Sequence, residues 1–235
     1  MFEYDTLVYK ETFENLISTL TSYYPDTNTA MIEKAYNIAE EAHRYQKRLS
    51  GEPFITHPLE VAGILAKNRL DPSCIIAALL HDVVEDTLTG MDFIAREFGE
   101  EIAHLVDGVT KISSLKNRTK SHEQAQTLRK MLLATIDDPR VIIIKLADKT
   151  HNMRTLKHQP PAKQKRIAQE VMDIYAPLAS RLGMSRIRSE LEDLAFITLN
   201  PAEYESIKTK LAKHREELEQ YIAAIRTKLE SNLEG

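Results

Sequence analysis

The chain has 235 residues, 43% hydrophobic and 28% charged, with a formal net charge of -4 at pH 7, so it is long enough for one large domain or two small ones. A weakly acidic balance gives no general electrostatic reason to bind nucleic acid, and any phosphate-bearing ligand must be met by a local basic patch or a metal. No apolar run approaches the ~18 residues of a membrane span, and the single cysteine, Cys74, excludes an intramolecular disulfide and fits a reducing cytoplasm.

Only 7 glycines, no tryptophan and long stretches without proline predict helices. Residues 6–22 read as an amphipathic helix with Leu7, Phe13, Leu16, Ile17 and Leu20 on one side. "YPDTNT" turns, and Asn28 or Thr29 caps a second helix running to about Arg44. "RLSGEPFITHP" is a loop, and Pro58 suits the first turn of the next helix, which puts His57 at its entrance. Asp71 with Pro72 behind it opens "SCIIAALLHDVVED", the most apolar helix up to that point and hence a central one. "MDFIAREFGEEIAHLVDGVTKI" gives two short helices, residues 112–122 a polar loop, and "HEQAQTLRKMLLATIDDP" an amphipathic helix. "RVIIIKLADKTHNMRTL" has β-branched residues that would suit a strand, but it runs too long for one and continues in helical register. Helices over 163–180, 185–199 and 201–233 complete an all-α reading, with residues 1–200 as one domain and 201–235 as a C-terminal helix. In that last helix Ile207, Leu211, His214, Leu218, Tyr221 and Ile225 recur at alternating three- and four-residue spacing. Such a seam either folds back on the domain or pairs with another subunit as a homo-oligomer.

Four side chains stand out as candidate ligands of a divalent ion: His57, His81, Asp82 and Asp148. Taken singly each is weak, because a lone histidine is more often a satisfied core or cap residue. Together they gain weight, since each abuts a strongly apolar segment where charge is costly unless paired or metal-bound. Two imidazoles and two carboxylates suit Mn2+, Fe2+ or Zn2+, and no thiolate favours zinc. Glu85 and Asp86 lie one helical turn beyond His81 and Asp82. Carboxylates at a helix C-terminus oppose the helix dipole, so a nearby cation is expected, and their chemistry suits deprotonating a water or protonating a leaving group.

The ordered stretches "RLSGEPFITHPLEVAGIL", "LLHDVVEDT", "VDGVTKI", "RKMLLA", "KLADKTHNMRTLKH", "KRIAQEVMDIYAPLASRLGM" and "ELEDLAFITLNPAEY" resemble the hydrolase domain of RelA/SpoT-homologue enzymes, which are HD-domain phosphohydrolases. The resemblance covers roughly residues 30 to 205. It implies an HD-domain helical bundle that uses Mn2+ to remove the 3′-pyrophosphate of the alarmones guanosine tetra- and pentaphosphate, giving GDP or GTP and pyrophosphate. Carried over by position, it makes His57, His81, Asp82 and Asp148 the Mn2+ ligands and Glu85 and Asp86 the pair that activates water. It puts Arg48 against the guanine base with Ser50 beside it, and Asn152 and Thr155 on the sugar-phosphate portion. Arg154 and Lys145 are either phosphate contacts or structural ion-pair partners, Lys111 lines the cleft or caps it, and His151 supports a ligand rather than being one.

Leu49, Phe54, Lys149 and Thr150 depart from the family pattern and bear on nucleotide affinity and base preference. A different 3′-phosphorylated nucleotide is therefore an alternative substrate, and a non-catalytic alarmone-binding module an alternative function. With no synthetase segment following the hydrolase region, the sequence reads as a stand-alone small alarmone hydrolase or an excised domain.

Overall fold

The computed structural model describes residues 3–87, 89–113, 137–211, 222 and 225, and among them every regular element is helical. The first half comprises α1 (Glu3–Tyr23), α2 (Thr29–Ala42), α3 (Thr56–Lys67), α4 (Pro72–Asp86), α5 (Met91–Phe98) and α6 (Glu100–Ser113). The second comprises α7 (Pro139–Arg154), a 3-10 turn (Leu156–His158), α8 (Pro161–Glu170), a π-helical segment (Val171–Tyr175), α9 (Ala176–Arg181) and α10 (Ser185–Leu199). Residues 201–211 are also helical.

The centre of the bundle is α4, packed against α2, α3, α6 and α7. Every residue from Cys74 to Leu80 is buried, so the helix is apolar all round, as a fully surrounded helix must be. Its start is fixed by Asp71, whose Oδ1 accepts the Cys74 N–H at 2.9 Å, and by Pro72 at a position that needs no donor. The same device opens α7: Asp138 accepts the Arg140 N–H at 2.9 Å and Pro139 follows it. The β-branched run of α7 stays helical because it is packed on α3, α4, α6 and α10, and tertiary burial outweighs the small helix penalty of such residues.

Arg140 ties three helix starts together. Its guanidinium reaches Asp138 at 2.7 Å, Glu101 at 2.6 Å and Asp71 at 3.5 Å, acids that stand at the N-termini of α7, α6 and α4. One turn further in, Gly108 lets α6 approach α7 closely: a Cβ there would lie 2.7 Å from Val141 Cγ2.

The helix expected over 163–180 runs instead from Pro161 to Arg181 and passes through the π-helical segment. The loop expected from 112 begins later, because α6 continues to Ser113. Most of the 112–122 loop and of the amphipathic helix that follows it lies outside the described residues, as do His214, Leu218 and Tyr221 of the C-terminal seam and the side chains of Leu7 and Asp86. The seam's Ile207, Leu211 and Ile225 are exposed, so at these positions the last helix is not covered by the domain.

Candidate metal centre

Three helices deliver the site. His57 is the second residue of α3, the His81–Asp82 pair sits in the last turns of α4, and Asp148 lies in the middle of α7. His57, His81 and Asp148 are buried, and each offers one ligand atom within 4.8 Å of the others. Asp82 completes the group: its carboxylate lies 3.1 Å from His81 Nε2 and 3.6 Å from His57 Nε2. Adjacent helical residues diverge by about 100 degrees, yet His81 Nε2 and Asp82 Oδ1 come within 3.1 Å of each other.

Hydrogen bonding around the cluster leaves electron pairs pointing inward. His81 Nδ1 lies 2.7 Å from the Ala78 carbonyl, an acceptor, so Nδ1 carries the proton and Nε2 presents a lone pair. That Nε2 is buried without a hydrogen bond, although Asp82 Oδ1 is close, because two acceptors cannot bond each other. A lone pair and a carboxylate held 3.1 Å apart repel unless a cation lies between them. His43 Nε2 is also buried without a partner, but among the described residues no carboxylate stands beside it.

His57 Nε2 lies 3.2 Å from Asp148 Oδ1, and its Nδ1 lies 2.7 Å from His151 Nδ1. Burial outweighs the neighbouring carboxylates and lowers the His57 pKa, which keeps the ring neutral. Burial likewise pushes His151 down to about 3, helped by His57 and Arg48. A neutral His151 can accept the Nδ1 proton of His57 and so free His57 Nε2 as a ligand.

Asp148 is buried, which alone would raise its pKa, but the Lys145 ammonium holds it well below the usual carboxylate range. Lys145 Nζ lies 2.7 Å from Asp148 Oδ2 and is itself buried. The Oδ1 atom accepts from Asn152 Nδ2, and Asn152 Oδ1 in turn accepts from Arg48 Nη2 at 3.0 Å. Arg48 also reaches Thr155 Oγ1 at 3.4 Å and lies 5.9 Å from the centre of the Phe54 ring. Phe54 stacks on His43 at 4.4 Å and meets His57 edge-on.

The other sequence candidates are placed as follows. Glu85 stands exposed in the last turn of α4, one turn beyond His81. Ser50 donates to Glu52 at 3.0 Å. Arg154 is held by Glu190 of α10 through two bonds, at 2.6 and 3.0 Å. Lys111 pairs with Asp107 on its own helix. Lys149 turns away from the cluster to Glu170 and the Tyr175 ring, and Thr150 bonds the Leu146 carbonyl, so these two departures leave the ligand group untouched. Leu49 is 68% exposed. The Lys145–Asp148 pair had a signal in the sequence, since residues three apart on a helix share a face. The His57–His151 contact joins two helices and had none.

The sequence matches the HD domain family over residues 35–185. The chain belongs to the HD-domain family. Among curated proteins, this HD-domain chain is 48% identical over 240 residues to a "GTP pyrophosphokinase" of Myxococcus xanthus, covering 99% of this chain and 32% of that protein. It is 46% identical over 222 residues to the "Bifunctional (p)ppGpp synthase/hydrolase SpoT" of Escherichia coli K12, covering 94% of this chain and 32% of the relative. The chain thus spans about a third of the length of these two relatives. A solved structure titled "A metazoan ortholog of SpoT hydrolyzes ppGpp and plays a role in starvation responses" superposes with a TM-score of 0.53 at 23% identity, over 74% of this chain and 94% of the other. That likeness establishes a shared HD-domain fold.

Proposed function

We infer that this HD-domain protein hydrolyses the 3′-pyrophosphate of guanosine tetra- or pentaphosphate in the cytoplasm, releasing GDP or GTP and pyrophosphate. Mn2+ is the proposed metal, and His57, His81, Asp82 and Asp148 are its proposed ligands. The observation that carries this reading is the buried, unpaired Nε2 of His81 beside a carboxylate, in a group with His57 and Asp148 contributed by three helices. A non-catalytic binding module would have little need of such a site. The printed name of the Escherichia coli relative supports the substrate.

When bound, the ion supplies Lewis acidity, lowering the pKa of a water and bearing charge that develops on phosphoryl oxygens. The chain's own groups do the rest. Lys145 keeps Asp148 ionised as a ligand, and His151 accepts the His57 Nδ1 proton so that Nε2 faces inward. Glu85 takes a proton from the attacking water, and Asp86, next in the same turn, assists it or protonates the leaving 3′ oxygen. Attack occurs at the phosphorus bonded to the 3′ oxygen, whose bond to that phosphorus breaks. Arg48 is the proposed contact to the guanine base with Ser50 beside it, and Asn152 and Thr155 are proposed to meet the sugar-phosphate portion. Arg154, bonded to Glu190, is proposed as a further phosphate contact, with a purely structural pair as the alternative.

Two variants test the assignment. Asp82→Ala abolishes the rise in melting temperature that Mn2+ gives the wild type, and turnover with it. Glu85→Gln keeps that rise and loses turnover by about 100- to 10,000-fold, the range of general-base catalysis. Near-wild-type rates in Glu85→Gln would remove the acidic pair from the mechanism. Turnover of some other 3′-phosphorylated nucleotide, with none of guanosine tetraphosphate, would reassign the substrate.

A further inference from the structure

Between Arg48 and Asp148 lies a single amide, that of Asn152, four residues after Asp148 on α7 and so on the same helix face. Its Nδ2 donates to Asp148 Oδ1, and its Oδ1 accepts from Arg48 Nη2 at 3.0 Å. The orientation of this amide is set by its neighbours: a carboxylate only accepts and a guanidinium only donates, so rotating the amide by half a turn would break both bonds. Arg48 has no freedom to drift either. Its Nη2 also reaches Thr155 Oγ1 at 3.4 Å, its backbone N–H donates to Glu52 O at 2.9 Å, and its guanidinium stands 5.9 Å from the Phe54 ring. Phe54 in turn meets His57 edge-on at 6.2 Å, and His57 Nε2 returns to Asp148 Oδ1 at 3.2 Å. The contacts close on themselves, with a proposed nucleotide residue at one end and proposed metal ligands at the other.

The geometry points to Asn152 as a positioning residue that relays between the two ends: it fixes Asp148 Oδ1 for the metal and the Arg48 guanidinium for the nucleotide with one amide. This rests on the metal and nucleotide reading of the site and adds to it a coupling. Asp148, which would hold the ion, fixes the Asn152 amide through Oδ1, and that amide presents its carbonyl to Arg48. Linkage requires the reverse as well: ordering Arg48 from the nucleotide side orders Asp148 for the ion. Arg48 thereby influences a metal that it does not touch.

The first test uses Mn2+ alone, with its dissociation constant measured by calorimetry on the wild type, Arg48→Lys, Asn152→Ala and the double variant. Arg48→Lys keeps the charge but loses the planar fork. Asn152→Ala weakens Mn2+ by about tenfold, as loss of a ligand's supporting bond does, and Arg48→Lys weakens it several-fold in the wild type but not in the Asn152→Ala background. An unchanged affinity in Arg48→Lys, or an equal change in both backgrounds, would overturn the relay, because a through-space effect of charge ignores Asn152. The second test uses Glu85→Gln protein, in which turnover is slow. There guanosine tetraphosphate tightens Mn2+ by a factor that falls about fivefold on Asn152→Ala; a factor that does not fall also overturns the relay. The two readings fail separately. If the nucleotide does not bind while the Mn2+ cycle keeps its expected shape, the proposed substrate is wrong and the relay stands.

Discussion

Lys145 shows how charge is balanced residue by residue in this centre. Its ammonium is buried, and although burial lowers its pKa, Asp148 at 2.7 Å and the other anionic neighbours hold it above the ordinary lysine value. Replacing it by Met leaves Asp148 buried without that cation, and breaking a buried pair from one side costs about 3–5 kcal/mol. The expected result is a metal-free Lys145→Met protein destabilised by that amount, with most of the loss recovered when Asp148→Asn is added. Denaturant melts of the four proteins in the cycle check this, and additive losses would show that the pair does not interact. At this scale the sequence marked the side chains that cluster, because His81, Asp82 and Asp148 interrupt apolar helices where an ionisable group needs a reason. It was silent on what aims them. His151 meets His57 across 94 residues of sequence separation, and only the packing of α3 on α7 makes that pair. Reading Lys145 from sequence left a phosphate contact and an ion pair both open, and its bond to Asp148 accounts for it as the second.

Elements are held in register by two devices that place α4, α6 and α7 beside one another. Gly108 is one. Adding a methyl group there drives it to 2.7 Å from Val141 Cγ2, and overpacking of this kind costs about 1–3 kcal/mol. Alanine recovers up to about 1 kcal/mol through helix propensity. Gly108→Ala is therefore expected to be destabilised by up to about 2 kcal/mol in denaturant melts; a raised midpoint would mean that α6 and α7 are not this close. The other device is Arg140. Its side-chain bonds hold the Asp138 carboxyl below its ordinary value of 3.8, so the stabilisation is complete above about that pH and is lost as the pH falls through the depressed folded value. Arg140→Met is accordingly expected to cost about 2 kcal/mol near neutral pH, and the gap in melting temperature to narrow as the pH falls below 3.8. A gap that holds constant through acid would contradict the charge-based account. Caps such as Asp71–Pro72 were legible, because their chemistry is local. The π-helical segment Val171–Tyr175 was not, because the phase shift of a single π-helical turn is too small to read from the apolar pattern of one helix.

For the whole molecule, an all-α bundle around α4 follows from apolar periodicity and from the scarcity of glycine. The HD-domain match over residues 35–185 places that bundle in the HD-domain family. Which side of the last helix is covered did not follow from sequence, because a three- and four-residue seam serves packing on a domain and pairing between chains equally well. In the structure Leu211 is 64% exposed, so at that point the seam is not part of the domain core. The central claim is chemical, and its most direct test is pyrophosphate release from guanosine tetraphosphate by the purified protein, with Mn2+ and with a chelator. Metal-dependent release of GDP and pyrophosphate in equal amounts is the predicted result. No release from protein shown to hold Mn2+, or release that a chelator leaves unchanged, would contradict the account.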